Sequence, residues 1–302
     1  MSERSNARVP LAVLVPVKNE AANLRDCLAS VSFADEIVVV DSASTDETQA
    51  IAEAARARIV QFAWDGKFPR KKNWALENVC WQHEWLLIVD ADERITPELE
   101  REIRLAIRRT DVDGFYLNRR FWFLDGWINH CGYFPSWNLR LFRHRLGRYE
   151  HIETNFNNPP GDNEVHEHVL LNGRTEYLSA PMEHYAFPDV ATFIEKHNRY
   201  STWEAAASGQ LRQSRGEKTL RATPFGTPVE RKRWLRKRAM LLPCRPTFRF
   251  LYHYIWKQGF RDGHRGLVLC RLLAWYERMI ILKERDLTVG KSEIRGSEMG
   301  GQ

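Results

Sequence analysis

The chain predicts an α/β fold, a mostly parallel sheet flanked by helices, followed by a basic helical C-terminal arm. Three observations carry that expectation. Strand and helix signals alternate from residue 11 to residue 109. The apolar run Leu86-Leu87-Ile88-Val89 stops abruptly at Asp90, Asp92 and Glu93. Charge is divided unevenly along the chain. Residues 212–285 hold 19 Lys/Arg and five Asp/Glu, a surplus of 14 in a chain whose net charge is +6, so the rest is acidic by 8.

The elements follow in order. Leu11–Val17 is an apolar strand signal interrupted by Pro16, and Lys18-Asn19-Glu20 is a polar turn. Leu24, Cys27, Leu28 and Val31 recur at helical spacing over Ala21–Val31. Glu36–Val40 is a second buried strand ending in Asp41. Ser44-Thr45-Asp46-Glu47 then matches a capping box with Ser44 as cap, opening a helix to about Arg56. Arg58–Phe62 is a short strand, Trp64–Arg70 a loop, and Lys71–Trp81 helical. After the strand Leu86–Val89, Thr96-Pro97 provides a cap with proline at the first helical position, opening a helix to about Arg109. Repeated strand–helix–strand units of this kind give parallel strands. Between 113 and 185 the signals change to short β pieces at Gly114–Phe123, Leu139–Arg143, His166–Leu171 and Thr175–Leu178, read as the mixed end of the same sheet with its loops. Asp189–Ser208 is helical.

Domain limits follow from composition: a sheet domain over 1–209, a Gly/Ser/Thr/Pro-rich linker over 210–230, a basic amphipathic arm over 231–286, and a disordered tail over 287–302. Hydrophobic content of 43% and charged content of 28% are those of an ordinary folded protein. The five cysteines are odd in number and widely spaced, with no Cys-x-x-Cys pair, so no disulfide framework is implied and a reducing compartment fits. The polar N-terminus predicts no signal peptide.

Parallel strands present their functional groups at their C-terminal ends. Glu20, Asp41, Asp90 and Asp92 therefore gather at one sheet edge. Clustered acids repel unless a cation sits among them. A hard divalent ion shared with phosphate oxygens is the natural partner. There is neither Gly-x-Gly-x-x-Gly nor a P-loop, which speaks against dinucleotide and P-loop chemistry.

Four motifs together make a resemblance specific. Pro16-x-Lys18-Asn19-Glu20, Val39-Val40-Asp41-Ser42-x-Ser44-Thr45-Asp46, Lys72-Asn73-Trp74-Ala75-Leu76 and Asp90-Ala91-Asp92-Glu93 occur in the order and spacing of the family 2 glycosyltransferases, which the chain resembles. The resemblance implies a GT-A fold and an inverting, metal-dependent (Mn²⁺ or Mg²⁺) transfer from a nucleotide-diphosphate sugar, UDP-linked by preference. It implies donor contacts from Pro16, Lys18, Glu20, Asp41, Lys72, Asp90, Ala91 and Asp92, with Asp41 toward the uracil, Asp90 toward the ribose and Asp92 on the metal. Asp46 is read instead as serving a helix dipole.

The segment Glu164-Val165-His166-Glu167-His168 resembles the branch that includes lipopolysaccharide core enzymes of the WaaE type. That branch implies Glu167 as general base, although the family more often has Asp there. A rival reading makes His166 and His168 a metal pair at strand spacing. His184 is the expected late metal ligand. Arg140 and Arg143 resemble the branch's Arg-Leu-Phe segment and are assigned to acceptor or phosphate. Trp137, with Trp127 and Tyr133, offers a stacking surface for sugar rings.

The arm is too interrupted by charge to span a bilayer and reads as an interfacial helix for an anionic membrane surface. The expected partners are thus a nucleotide-sugar donor, a glycan or lipid-linked acceptor of the cell envelope and the cytoplasmic face of the inner membrane, with no nucleic acid. Two rivals stand beside this: a polyprenyl-phosphate glycosyltransferase, needing no acceptor base, and a non-enzymatic basic adaptor for membrane or nucleic acid, which predicts salt-sensitive RNA or DNA binding.

Overall fold

The computed structural model describes residues 7–66, 68–151, 168–211, 223–225, 230–231, 234–235, 238 and 244–299. The chain divides into two compact units. The first comprises Met1–Trp127, Tyr133–Glu150 and Asp162–Ala186, the second Ile128–Gly132, His151–Gly161 and Phe187–Gln302.

The first unit opens with β1 (Val9–Val17), α1 (Ala21–Ser30), β2 (Ala34–Asp41), α2 (Thr48–Ala54), β3 (Arg58–Gln61), α3 (Lys71–Asn78) and β4 (Trp85–Ile88). There follow β5 (Glu93–Arg94), α4 (Pro97–Ala106), β6 (Gly114–Phe123), β7 (Gly126–Trp127) and β8 (Trp137–Arg143). The unit closes with β9 (Gly147–Tyr149), β10 (Val169–Leu171) and β11 (Thr175–Phe187). Among the described residues, one nine-stranded sheet has the order β3-β2-β1-β4-β8-β6-β11-β5, with β7 beside β6, and β9 and β10 form a separate pair. β3, β2, β1 and β4 are parallel. β8 runs antiparallel to β4 and to β6, and β11 antiparallel to β5, so these strands form the antiparallel end of the sheet, whereas β10, expected in it, pairs with β9 apart from it.

Strand alternation explains why helices cover both faces. Leu11, Val13, Val15 and Val17 of β1 enter one core, with Leu24, Cys27 and Leu28 of α1, Ala52 of α2 and Leu99 and Ile103 of α4. Ala12 and Leu14 enter the other, with Ala75 and Leu76 of α3, Tyr149 and Val169. β4 splits the same way, Leu87 to the first core and Leu86 and Ile88 to the second. A period of two with both sets buried requires a central strand between two layers. Each such leucine or valine contributes about 1.5–3 kcal/mol by leaving water.

Helix starts divide sharply. Thr96 Oγ1 accepts from Leu99 N–H at 3.2 Å, the expected cap of α4. Ser44, expected to cap α2, does not: its hydroxyl donates to Asp41 Oδ1, and α2 begins later, at Thr48. Asp46 takes the role instead. Its Oδ1 accepts from Thr48 N–H at 3.0 Å and its Oδ2 from Ala21 N–H at 3.1 Å, so one carboxylate serves the starts of α1 and α2 together.

The second unit contains α5 (Val190–Leu211), α6 (Arg245–Leu251), a π turn at Tyr252–Trp256, a 3₁₀ turn at Gly259–Asp262 and α7 (Gly263–Met299). α5 and α7 are joined by Lys283, whose Nζ donates to Asn198 O, Asn198 Oδ1, Ser201 Oγ and Thr202 Oγ1 at 2.6–2.8 Å. α5 therefore falls in the second unit, which begins its last segment at Phe187. No helix of the described residues is long and apolar enough to cross a membrane.

Candidate active site

The parallel half of the sheet delivers β1, β2 and β4 to one edge. After β1, Asn19 adopts φ 55°, and its Oδ1 accepts from Thr45 N–H at 2.8 Å while its own N–H reaches Ser44 Oγ at 2.8 Å. Glu20 N–H donates to Thr48 Oγ1 at 2.8 Å. The loops after β1 and β2 are thus laced together. Lys18 is exposed beside them, whereas Pro16 is buried within β1 opposite Val40.

Asp41, at the end of β2, is wholly buried. Its carboxylate accepts from Ser44 N–H and Oγ–H, from Gln49 Nε2 at 2.8 Å and from Gln61 Nε2 at 3.3 Å. Burial pushes its carboxyl up, but these donors prevail and hold it below the ordinary aspartate value. A uracil N–H would compete with these donors for the carboxylate.

The end of β4 is the most charged interior point. Asp90 Oδ2 meets Arg140 Nη2 at 2.6 Å, and Oδ1 meets Lys72 Nζ at 2.9 Å. Arg140 Nη2 also reaches Glu93 Oε1 at 3.0 Å, and Arg119 approaches the same oxygen at 3.5 Å. Glu93 is fully buried, and its Oε2 accepts from Asp90 N–H at 2.9 Å. Burial pushes the Asp90 carboxyl up, yet the Arg140 and Lys72 cations outweigh it and hold Asp90 far below the carboxylate range. Arg140 is itself raised, since Asp90 and Glu93 overcome its burial. Asp90 is therefore ionised at any ordinary pH and fixed in direction.

Lys72 is buried at the start of α3, not a solvated helix residue, and its Nζ lies 5.4 Å from the centre of the Tyr149 ring. Lys71 is buried too, donating to Val17 O at 2.7 Å. Asn73 grips the backbone of Tyr149 in both directions, Nδ2 to O at 2.9 Å and Oδ1 from N–H at 2.8 Å. Next to it, Glu150 and His168 bind reciprocally: Glu150 N–H to His168 O at 2.9 Å, and His168 N–H to Glu150 Oε1 at 3.1 Å.

Ala91 is buried between the two aspartates. Asp92 Oδ1 lies 3.7 Å from His184 Nε2, because β11 pairs with β5 in the register His184–Glu93 and Tyr185 N–H donates to Asp92 O at 2.8 Å. A carboxylate oxygen and an imidazole nitrogen are donors a divalent cation takes, and adjacent ligands of a six-coordinate ion, each about 2.1 Å from it, stand about 3 Å apart, so this pair would close slightly to share one. Among the described residues no group of three His, Cys, Asp or Glu side chains is arranged for a metal. An ion held here would draw its remaining ligands from phosphate and water, the usual habit of Mg²⁺.

Two expectations change. Arg140 is not an open acceptor contact but the buried counter-ion of Asp90 and Glu93. Arg143, three residues on, lies at the other end of β4, opposite Trp85. It pairs with Glu84 and Asp113 and covers the Trp85 ring at 4.9 Å, so the antiparallel register carries it away from the acidic edge. Trp137 is half-buried and packs edge-on against Tyr177, which stacks on Tyr116. Tyr133 stacks on Phe121 at 4.6 Å, and Phe121 lies 6.0 Å from His184. Glu167 and His166 lie outside the described residues. Sequence reasoning offers Lys71 and Arg70 as alternatives to Lys72 for the phosphates and groups Glu93 with the clustered acids, but it assigns no role to Arg119, which has no local signal.

A family model described as Glycosyl transferase family 2 matches residues 12–161, which hold most of β1, all of β2 through β9 and the acidic edge. An uncharacterized glycosyltransferase of Rickettsia bellii is 38% identical over 65% of this chain and 66% of its own length. A lipopolysaccharide core biosynthesis glycosyltransferase, LpsC of Rhizobium meliloti, is 30% identical over 66% of this chain and 71% of its own. The chain belongs to glycosyl transferase family 2. It spans about two thirds of the length of these curated relatives. A crystal structure of S. aureus TarS 1-349 in complex with UDP-GlcNAc is 16% identical, covers 95% of this chain and 92% of that one, and superposes with a TM-score of 0.45. Family membership makes the protein a glycosyltransferase. The α/β sheet flanked by helices and the helical C-terminal region are the fold expected of it.

Proposed function

We propose that this family 2 glycosyltransferase moves a sugar, a hexose from a UDP-linked donor in the first instance, to a cell-envelope acceptor with inversion at the anomeric carbon. The acceptor class is a lipopolysaccharide core or lipid-linked glycan at the cytoplasmic face of the inner membrane. The observation that carries the reading is the end of β4, where Asp90 is pinned by two buried cations beside the Asp92–His184 pair. Lys72, Arg119 and Arg140 balance Asp90, Asp92 and Glu93 in number, so a divalent ion beside them would tip the site toward a bound diphosphate. Asp92 and His184 would hold Mn²⁺ or Mg²⁺. Such an ion, when bound, supplies charge neutralisation for the departing nucleoside diphosphate. Preorganised cations that need no rearrangement serve the same end. The lipopolysaccharide core relative supports the envelope acceptor.

A carboxylate must take the acceptor hydroxyl proton as it attacks. Glu167 is proposed for this on its sequence context. Trp137 is proposed as an acceptor-side aromatic. Lys18 and Glu20 are proposed for the donor.

Calorimetric titration with UDP, GDP and ADP, with and without Mn²⁺, tests the donor site. Metal-dependent binding of one diphosphate, lost in Asp92→Asn, is expected. Metal-independent binding, or none, overturns the site. Glu167→Gln is expected to abolish transfer while sparing donor binding. Retained transfer would favour a phosphate acceptor, as in the polyprenyl-phosphate enzymes.

A further inference from the structure

The second unit carries a helical segment with a stripe of large apolar side chains exposed to water. Phe248, Leu251, Tyr252, Ile255 and Trp256 are 48, 41, 41, 58 and 77% exposed, and Phe260 follows at 53%. The first five recur at the i, i+3, i+4, i+7, i+8 spacing of one helical face. One flank of this face is held by charge. Arg245 pairs with Glu277 at 2.6 Å and Glu284 at 3.0 Å, and Arg249 pairs with Glu277 at 2.5 Å, both acids on α7. A surface helix of a globular protein buries its apolar stripe and exposes its charges. Here Phe250 and Tyr254 stack on the covered side, two arginines are paired along the flank, and a second apolar stripe still faces water.

The segment is firmly built. His253 Nδ1 bonds Cys131 O at 2.7 Å, and Cys131 N–H donates to Lys257 O at 3.1 Å. A Cβ at Gly259 would meet Cys131 Sγ and His253 O at 2.8 Å, and one at Gly266 would meet Gly259 O at 2.0 Å, so the 3₁₀ turn crosses the start of α7 at glycine-only distance. The π turn carries Ile255 and Trp256 outward from this base. Such turns recur at functional sites.

The fringe is basic. Residues 244–271 contain six Lys/Arg and one acid, Asp262. Asp262 is engaged by His130, through its N–H at 2.9 Å and Nδ1 at 2.8 Å. Arg261 and Arg265 are exposed beside Phe260, and Lys257 lies 5.6 Å from the centre of the Tyr252 ring.

We infer that this face inserts into the interface of an anionic phospholipid bilayer, with Ile255 and Trp256 at acyl depth and Lys257, Arg261 and Arg265 at the headgroups. Aromatic and aliphatic side chains rimmed by cations are what such an interface binds. A second copy would bring a like-charged fringe against this one. The inference rests on the membrane part of the proposed function and not on its sugar chemistry.

The test uses the full chain and sedimentation with vesicles, either phosphatidylcholine alone or phosphatidylcholine with a minor fraction of phosphatidylglycerol. Binding to the anionic vesicles is expected, weakened on the order of tenfold or more in Ile255→Asp/Trp256→Asp. Both positions are exposed, and far-UV circular dichroism should not change. Bromine-labelled acyl chains should quench a part of the tryptophan emission that Trp256→Phe lacks. UDP titration of the same preparations keeps a failed donor site separate from a failed membrane face. Equal sedimentation of parent and double variant, or no sedimentation of the parent, overturns the inference. So does a dimer of the parent that the double variant dissolves, which would assign the face to a second copy.

Discussion

Replacing Arg140 by methionine asks whether the interior charge network holds the β4 edge together. Arg140 is 5% exposed and touches Asp90 at 2.6 Å and Glu93 at 3.0 Å. Without it Asp90 retains Lys72, and the fully buried Glu93 retains only Asp90 N–H at 2.9 Å and Arg119 at 3.5 Å. Removing one partner of a buried ion pair costs about 3–5 kcal/mol. The Asp90 side chain is 25% exposed and keeps one cation, which places the loss near the lower end, about 3 kcal/mol. At about 2–4 °C per kcal/mol for a unit of this size, Tm should fall by about 6–12 °C. Thermal unfolding followed by circular dichroism measures this. Glu93→Gln in the same background should rescue part of the loss, with a coupling of about 1–3 kcal/mol in the double-mutant cycle. The pH dependence has a definite sign. The folded Asp90 carboxyl lies below its unfolded value, so its contribution is complete above about pH 4 and fades as pH falls further. The gap between parent and variant should therefore narrow in acid. A Tm within about 2 °C of the parent at neutral pH, or strict additivity with Glu93→Gln, would refute the reasoning.

Three further outcomes are expected. Lys72→Met should weaken UDP–Mn²⁺ binding about tenfold or more in calorimetry, because a buried cation leaves the diphosphate's surroundings. Arg143→Ala should lower stability by about 1–2 kcal/mol through its lost ion pairs and Trp85 contact, yet leave nucleotide affinity within about twofold. Asn73→Ala should cost about 2–3 kcal/mol in urea unfolding, since the N–H and C=O of Tyr149 both lose their side-chain partner.

The acidic edge was legible in the sequence because its parts are local. A strand that ends in Asp90-Ala91-Asp92 needs no partner to reveal where its carboxylates point. Arg140 and Arg143 show where such reading stops. Three residues apart in one strand, they go to opposite ends of β4, and only the register Trp85–Arg143 decides which. Registers come from pairing with distant segments, which a single stretch of sequence does not encode. Ser44 failed for a related reason. Its hydroxyl had a choice between the helix start and the buried Asp41, and burial made the carboxylate the stronger claimant. The second unit was visible as charge and aromatic content, but not the pairing of α5 with α7, which rests on Lys283 reaching four oxygens across a gap of 81 to 85 residues.

The reciprocal bonds between Glu150 and His168 have an evolutionary corollary. The chain leaves the first unit's β9 and re-enters β10 through one paired doorway, itself bolted to α3 by Asn73. A connection whose two ends already meet adds little entropy when it lengthens, about 0.6 kcal/mol for each doubling. Insertions or deletions between the doorposts should therefore cost the sheet and the Asp90 network little. Selection on that connection would then act through its chemistry, the proposed role of Glu167 included, rather than through folding.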